Sequence, residues 1–268
     1  MSLSITQIET AATSLFNAEA SGTQIGLISQ QHPSMTLDDA YAIQKSLMEK
    51  SLANGKKIIG WKIGLTSKAM RSVLKIDTPD SGVLLNDMLF ENGCRIPATR
   101  FIEPRIEAEI AFVMKSPLAG ESVTRNDVIA ATDYVVAAIE ILDTRIIRRD
   151  NNTGEIRKIT DTISDNAANA GIVLGNEKHA IDSVDLRWVG AVVSKNNEVE
   201  ETGLGAGVLN DPVTGIVWLA QRMAEYGQRI EAGQVILSGS FIRPVECPSG
   251  SFIEADFNQF GRVEMHFD

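Results

Sequence analysis

The sequence predicts an α+β protein: a mainly antiparallel β fold preceded by a helical N-terminal region. Three observations predict it. Helical periodicity and helix caps dominate the first 56 residues, and from Lys57 they give way to short β-branched runs. Beyond that point strands outnumber helices. The later helices do not alternate regularly with strands, as a parallel βαβ sheet would require. The expected division is a helical region over 1–56 and a β-rich body carrying the chemistry over 57–268.

The elements follow in order. Residues 5–19 place Ile5, Ile8, Ala12, Leu15 and Phe16 on one helical stripe. Thr36 is an N-cap with Asp39 at the third helical position, opening a helix that ends near Gly55. Residues 58–64 form a strand with Lys62 inside it, and Ser67 caps a short helix through Lys75. Residues 78–82 read as a turn before the apolar Val83, Leu84 and Leu85, and Asn92-Gly93 as another. Residues 104–113 form a strand, Thr124 caps a helix to about Thr132, and 135–142 form a second strand. Residues 145–160 are a charged loop suited to covering a pocket. Residues 161–171 are dense in small polar groups and make either a capped turn or a polar pocket wall. Strands from Leu186 to Ser194 and from Glu198 to Thr202 form a hairpin about Asn196-Asn197, a helix starts at Asp211-Pro212 and stops at Gly227, and strands at 235–240, 251–257 and 262–267 complete the chain.

The totals exclude several classes. A net charge of −10 over 268 residues suits neither nucleic acid nor an anionic membrane surface. There is no uninterrupted apolar run of membrane-spanning length, and residues 1–7 show no basic region followed by an apolar core, so no secretory signal is expected. Cys94 and Cys247 are isolated and read as free thiols, which points to the cytoplasm. His32, His179 and His266 are scattered, so no triad is visible, and there is no Gly-rich phosphate loop.

The chemistry concentrates on acids. Strand side chains alternate faces, so Glu107 and Glu109 point the same way, about 7 Å apart. Two like charges on one face of an apolar strand repel each other and lose solvation when covered. Glu140 is the only charge in its own apolar run. Three carboxylates without clustered His or Cys make a hard, all-oxygen donor set, suited to Mg²⁺ or Mn²⁺. The alternative is a solvated strand face with Glu140 paired to an arginine. Lys62, flanked by Trp61 and Ile63, has either a partner or an exposed tip; Asp80 alone reads as a turn residue.

Residues 62–67 (Lys-Ile-Gly-Leu-Thr-Ser), 104–109 (Pro-Arg-Ile-Glu-Ala-Glu) and 165–167 (Asp-Asn-Ala) resemble the hydratase/decarboxylase branch of the fumarylacetoacetate hydrolase superfamily over nearly the whole chain. The resemblance implies a β-rich fold, a divalent-metal site and a homo-oligomer. It places metal ligands at Glu107, Glu109 and Glu140, an active-site lysine at Lys62 and an acid at Asp80, the candidate proton carrier. Thr66, Arg105, Ser164, Asn166 and Ser240 are the candidates for substrate contacts. The implied substrate is a small 2-oxo or 2-hydroxydienoic diacid. The run at 160–171 and the polar insertion before it favour a hydratase of a seven-carbon diacid. Decarboxylation of a 2-oxo-3-enedioate, hydration of a five-carbon dienoate, and a non-catalytic partner role are the alternatives. One departure is Trp61, where similar hydratases can carry His or another polar residue.

Overall fold

The computed structural model describes residues 2–74 and 76–268. Caps set the N-terminal helices. α1 (Ile5–Ser21) starts at Ser4, whose hydroxyl accepts from the Gln7 amide while the Gln7 side chain accepts from the Ser4 amide. After the single turn α2 (Ile28–Gln31), α3 (Leu37–Ala53) opens on the expected reciprocal pair of Thr36 and Asp39. Ala12 and Leu15 of α1 are buried together with Ala40, Ile43 and Leu47 of α3. Ile5 departs from its expected stripe and is 82% exposed. It is left out of the packed cluster, which Leu3 before it and Ile8 after it join.

The rest of the chain supplies β1 (Ile58–Gly64), α4 (Lys68–Leu74), β2 (Asp80–Leu85), β3 (Leu89–Phe90), β4 (Cys94–Ile96), β5 (Arg105–Met114), α5 (Arg125–Ala131) and β6 (Thr132–Leu142). Then come α6 (Ile159–Ser164), β7 (Asn169–Leu174), β8 (Gly190–Lys195), β9 (Glu198–Leu204), α7 (Pro212–Glu225), β10 (Val235–Leu237), β11 (Val245–Glu246), β12 (Phe252–Asp256) and β13 (Arg262–Phe267).

Eight strands form one sheet in the order β2-β1-β10-β5-β6-β7-β3, with β11 also pairing β5. Five form a second, β4-β13-β12-β8-β9. Most pairs are antiparallel, as expected; β1–β10, β3–β7 and β4–β13 are parallel. The main core joins the two sheets. Ile106, Ile110, Phe112 and Ile139 of the larger pack in one cluster with Val193, Ile253, Val263 and Met265 of the smaller. The N-terminal helices cover another part of the larger sheet, sharing a cluster with Val83 and Leu85 of β2 and Ile163 of α6.

Three local expectations change. The turn expected at 78–82 is cut short because β2 already begins at Asp80, which pairs with Gly64. The polar stretch after residue 158 makes the short helix α6, with Asp161 accepting from the Lys158 amide. The strand expected from Leu186 starts at Gly190, after a 3-10 turn over Leu186–Trp188. The helix expected through Lys75 is described over Lys68–Leu74, and Lys75 itself lies outside the described residues.

Candidate metal centre and active site

β5 and β6 run antiparallel with Glu107 directly opposite Glu140. Glu109 follows two residues later on the same face of β5. One carboxylate oxygen from each of the three lies within 4.8 Å of the others. Glu109 and Glu140 are fully buried and Glu107 is half-buried. Glu140 Oε1 accepts from Asn169 Nδ2 at 2.7 Å and lies 3.3 Å from Lys62 Nζ. Glu109 Oε2 accepts from the Gly239 amide at 2.7 Å. The second oxygens, Glu109 Oε1 and Glu140 Oε2, have no hydrogen-bond partner among the described residues. Buried oxygens in that condition are costly unless a cation meets them.

Lys62 and Asp80 meet over Gly64. A Cβ on Gly64 would collide with Asp80 Oδ1 and stand 3.1 Å from Lys62 Nζ. Asp80 Oδ1 is a third buried carboxylate oxygen without a partner among the described residues. Asp80 is held there by its neighbour. The Ser81 amide donates to the Tyr41 hydroxyl at 3.3 Å, and Gln44 Nε2 donates to the Ser81 carbonyl at 2.9 Å and to the Ile163 carbonyl at 3.0 Å. α3 therefore ties the strand bearing Asp80 to the helix bearing Ser164.

The electrostatics follow from four carboxyls around one ammonium. Burial, with Glu140 adjacent, pushes Glu107 up to about 8. Burial and the charges of Glu140 and Glu107 carry Glu109 well above the ordinary carboxylate range. Burial also raises Asp80. For Lys62, burial acts to lower the pKa, but Glu140, Asp80, Glu107 and Glu109 outweigh it and keep the ammonium charged.

The orphaned oxygens and the all-carboxylate donor set fit a hard divalent cation. Glu107, Glu109 and Glu140 are the residues able to hold it.

The other expected residues divide. Ser164 is fully buried with its hydroxyl unpartnered. Thr66 is buried against Gly239, whose φ of 118° and lack of a Cβ permit that approach. Asn166 is engaged on both ends of its side-chain amide by the Val83 backbone, so it pins the segment after α6 to β2. Ser240 donates to the Ile242 carbonyl and accepts from the Ile242 amide. Arg105 sits at the outer end of β5, paired with Glu246 at 2.5 Å. Residue types alone did not single out Asn169, Gly239 or Gln44. Asn169 lay inside the small-polar run, which was the one available signal.

Comparison with known proteins places this geometry. No family model matches the chain. It is 47% identical over 256 residues to the 2-oxo-hept-4-ene-1,7-dioate hydratase of Escherichia coli, covering 96% of each. It is 38% identical to the 2-keto-4-pentenoate hydratase of Paraburkholderia xenovorans, covering 98% of this chain and 95% of that one. A solved 4-oxalocrotonate decarboxylase from Pseudomonas putida, complexed with magnesium and adipate, superposes with a TM-score of 0.93 at 34% identity over 99% of both chains. The fumarylpyruvate hydrolase of Pseudomonas aeruginosa shares the fold at a TM-score of 0.58 and 8% identity, covering 77% of this chain and 88% of that one. The chain belongs to the family of 2-oxo acid hydratases and decarboxylases that these relatives represent, and it shares its fold with the wider fumarylacetoacetate hydrolase superfamily.

Proposed function

We propose that this protein is a Mg²⁺-dependent hydro-lyase that adds water to 2-oxohept-4-ene-1,7-dioate, giving 4-hydroxy-2-oxoheptanedioate in the catabolism of aromatic compounds. The observation that carries the chemistry is the convergence of three carboxylates, two of them fully buried with orphaned oxygens, beside Lys62 and Asp80. Identity of 47% to a hydratase of that substrate supports the choice within the branch. In the same reading the protein is a cytoplasmic homo-oligomer, with residues 1–56 as a helical cover and 57–268 as the catalytic body. It takes a small 2-oxo or 2-hydroxydienoic diacid, not nucleic acid or membrane.

Glu107, Glu109 and Glu140 hold the cation. When bound, the cation supplies Lewis-acid polarisation of the substrate's 2-oxygen. The remaining steps belong to the side chains. Lys62 orients the C1 carboxylate by charge. Asp80, whose pKa burial raises, relays the proton of the dienol's 2-hydroxyl to C5, so that the 2-oxo group forms and Asp80 is left as the carboxylate it began as. The product of this step is the 2-oxo-3-ene. The Asp80 carboxylate then takes a proton from the water whose oxygen bonds to C4, and returns it to C3. Ser164 and Thr66 close the polar wall around the chain of the substrate. Arg105 stands at the outer end of the site.

Decarboxylation of a 2-oxo-3-enedioate is the second reading, favoured by the TM-score of 0.93 to such an enzyme. An ultraviolet assay of dienol loss with Mg²⁺, on five-, six- and seven-carbon substrates with product masses measured, separates the two. The expected product is the seven-carbon substrate plus one water. Released CO₂ overturns the hydratase reading in favour of the decarboxylase. Inertness toward every dienol overturns both.

A further inference from the structure

The loop at 145–158 gathers arginines that the mechanism above leaves unused. A bridge between Arg149 and Ile156 and a hydrogen bond from the Arg157 amide to the Arg148 carbonyl fold it back on itself. Arg148 and Arg157 therefore lie side by side. The partners of these cations differ. Arg145 is saturated: its Nε donates to Asp165 Oδ1 at 2.5 Å, and its other nitrogens reach the carbonyls of Asp165 and Asn169. Arg148 pairs with Glu103 at 3.2 Å, at the half-exposed edge of a cavity of about 640 Å³ that Arg105 also lines. Arg157 is half-buried and has no carboxylate partner among the described residues; its Nη1 donates to the Thr144 hydroxyl at 2.6 Å.

A guanidinium cannot shed its charge. Half-buried beside two other cations, it carries a desolvation and repulsion cost that an anion would relieve. Burial, with Arg148 and Arg145 nearby, accordingly lowers its pKa despite Asp165 and Asp161. Its position relative to the metal centre is set by the chain. Thr144 is four residues beyond Glu140, at most about 14 Å along an extended backbone. Arg145 holds the carbonyl of Asn169, whose side chain donates to Glu140. Through Thr144, Arg157 is thus tethered to the segment that follows β6, at most about 14 Å of backbone from Glu140, where the first end of an extended diacid would be held.

We propose that Arg157, flanked by Arg148, is the subsite for the substrate's distal carboxylate, and that this loop selects diacids over monoacids. The proposal rests on the hydratase reading for its substrate. The guanidinium fork matches a carboxylate in two parallel hydrogen bonds, which an ammonium cannot copy.

The test compares wild type, Arg157→Gln and Arg157→Lys on 2-hydroxyhepta-2,4-dienedioate and on the five-carbon monoacid 2-hydroxypenta-2,4-dienoate. For Arg157→Gln the ratio of kcat/KM for diacid over monoacid is expected to fall by about 10- to 100-fold, the loss of a charge-assisted hydrogen bond, mainly through KM. Arg157→Lys is expected to fall between. A readout without turnover accompanies it: calorimetric binding of 2-oxoheptanedioate against 2-oxoheptanoate to the Mg²⁺-loaded protein. The variant is expected to lose affinity for the first relative to the second. An unchanged ratio in both measurements overturns the proposal, as does an equal loss on both ligands, which marks a purely structural role. If Arg157→Gln does not fold, Arg157→Lys carries the same comparison with the same overturning result. A wild type inert toward both dienols sinks the hydratase reading, while the calorimetric comparison still decides the role of Arg157.

Discussion

Around Glu109 the two faces of β5 are equally buried and are chemically opposite. On one, Ile106, Ala108, Ile110 and Phe112 are fully enclosed by the second sheet. On the other, Glu107 and Glu109 face Glu140 and Lys62, with Glu109 as enclosed as the isoleucines. The first face is stable by what it excludes, since apolar area removed from water is favourable without any partner. The second is incomplete without a counter-charge, since four carboxyls share one ammonium and leave oxygens unpartnered. The difference teaches that depth of burial alone does not mark a functional acid. The supply of donors does.

The largest expected effect tests the self-sufficient face. Phe112→Ala is expected to cost about 3–5 kcal/mol of stability, read as a lower denaturant midpoint. Divalent-metal affinity of the molecules that remain folded is expected to stay unchanged. A cost below about 1 kcal/mol would break the comparison, because the apolar face would then not be carrying the strand.

The next tests the incomplete face. With Mg²⁺ at about a hundred times its dissociation constant, wild type is expected to gain about 2.7 kcal/mol over the metal-free protein, read as a higher melting temperature. Chelation removes that gain. Glu107→Gln is expected to lose most of it while melting no lower than wild type when both are metal-free, since one member of a repelling set is gone. An undiminished Mg²⁺ effect would take Glu107 out of the ligand set.

Much of this was legible in the sequence, for physical reasons that also explain what was not. The alternation of a strand put Glu107 and Glu109 on one face before any fold was known. The isolation of Glu140 in an apolar run signalled a buried charge. Asp80 looked like a turn residue because what makes it a buried strand residue is distant: Tyr41 and Gln44 of α3 gripping Ser81. The parallel pairing of β10 with β1 joins segments far apart in the chain, and no local pattern encodes it. α6 escaped notice because six residues are too few to show a period. Asn166 stands in a polar run that reads as a turn or a pocket wall, and only the fold shows both ends of its amide held by Val83.

The smallest effect sharpens the comparison from outside the site. Asp39 is nearly as enclosed as Glu109, yet it has four donors: Ser2 Oγ and the Leu3 amide on Oδ1, and the Thr36 amide and hydroxyl on Oδ2. Burial alone would raise its pKa, but these donors outweigh it and hold the carboxyl well below its ordinary value. A group depressed in the folded state stabilises above its unfolded pKa, about 3.9 for Asp. That contribution is lost as the pH falls from there toward the folded value. Asp39→Asn is therefore expected to cost about 1 kcal/mol near neutrality, with the gap to wild type closing as the pH drops below about 4. Urea midpoints of both proteins across that range check it. A gap that stays constant would mean that shape, not charge, is what the donors hold. The distinction between acids that stabilise the fold and acids that await a cation would then need another basis.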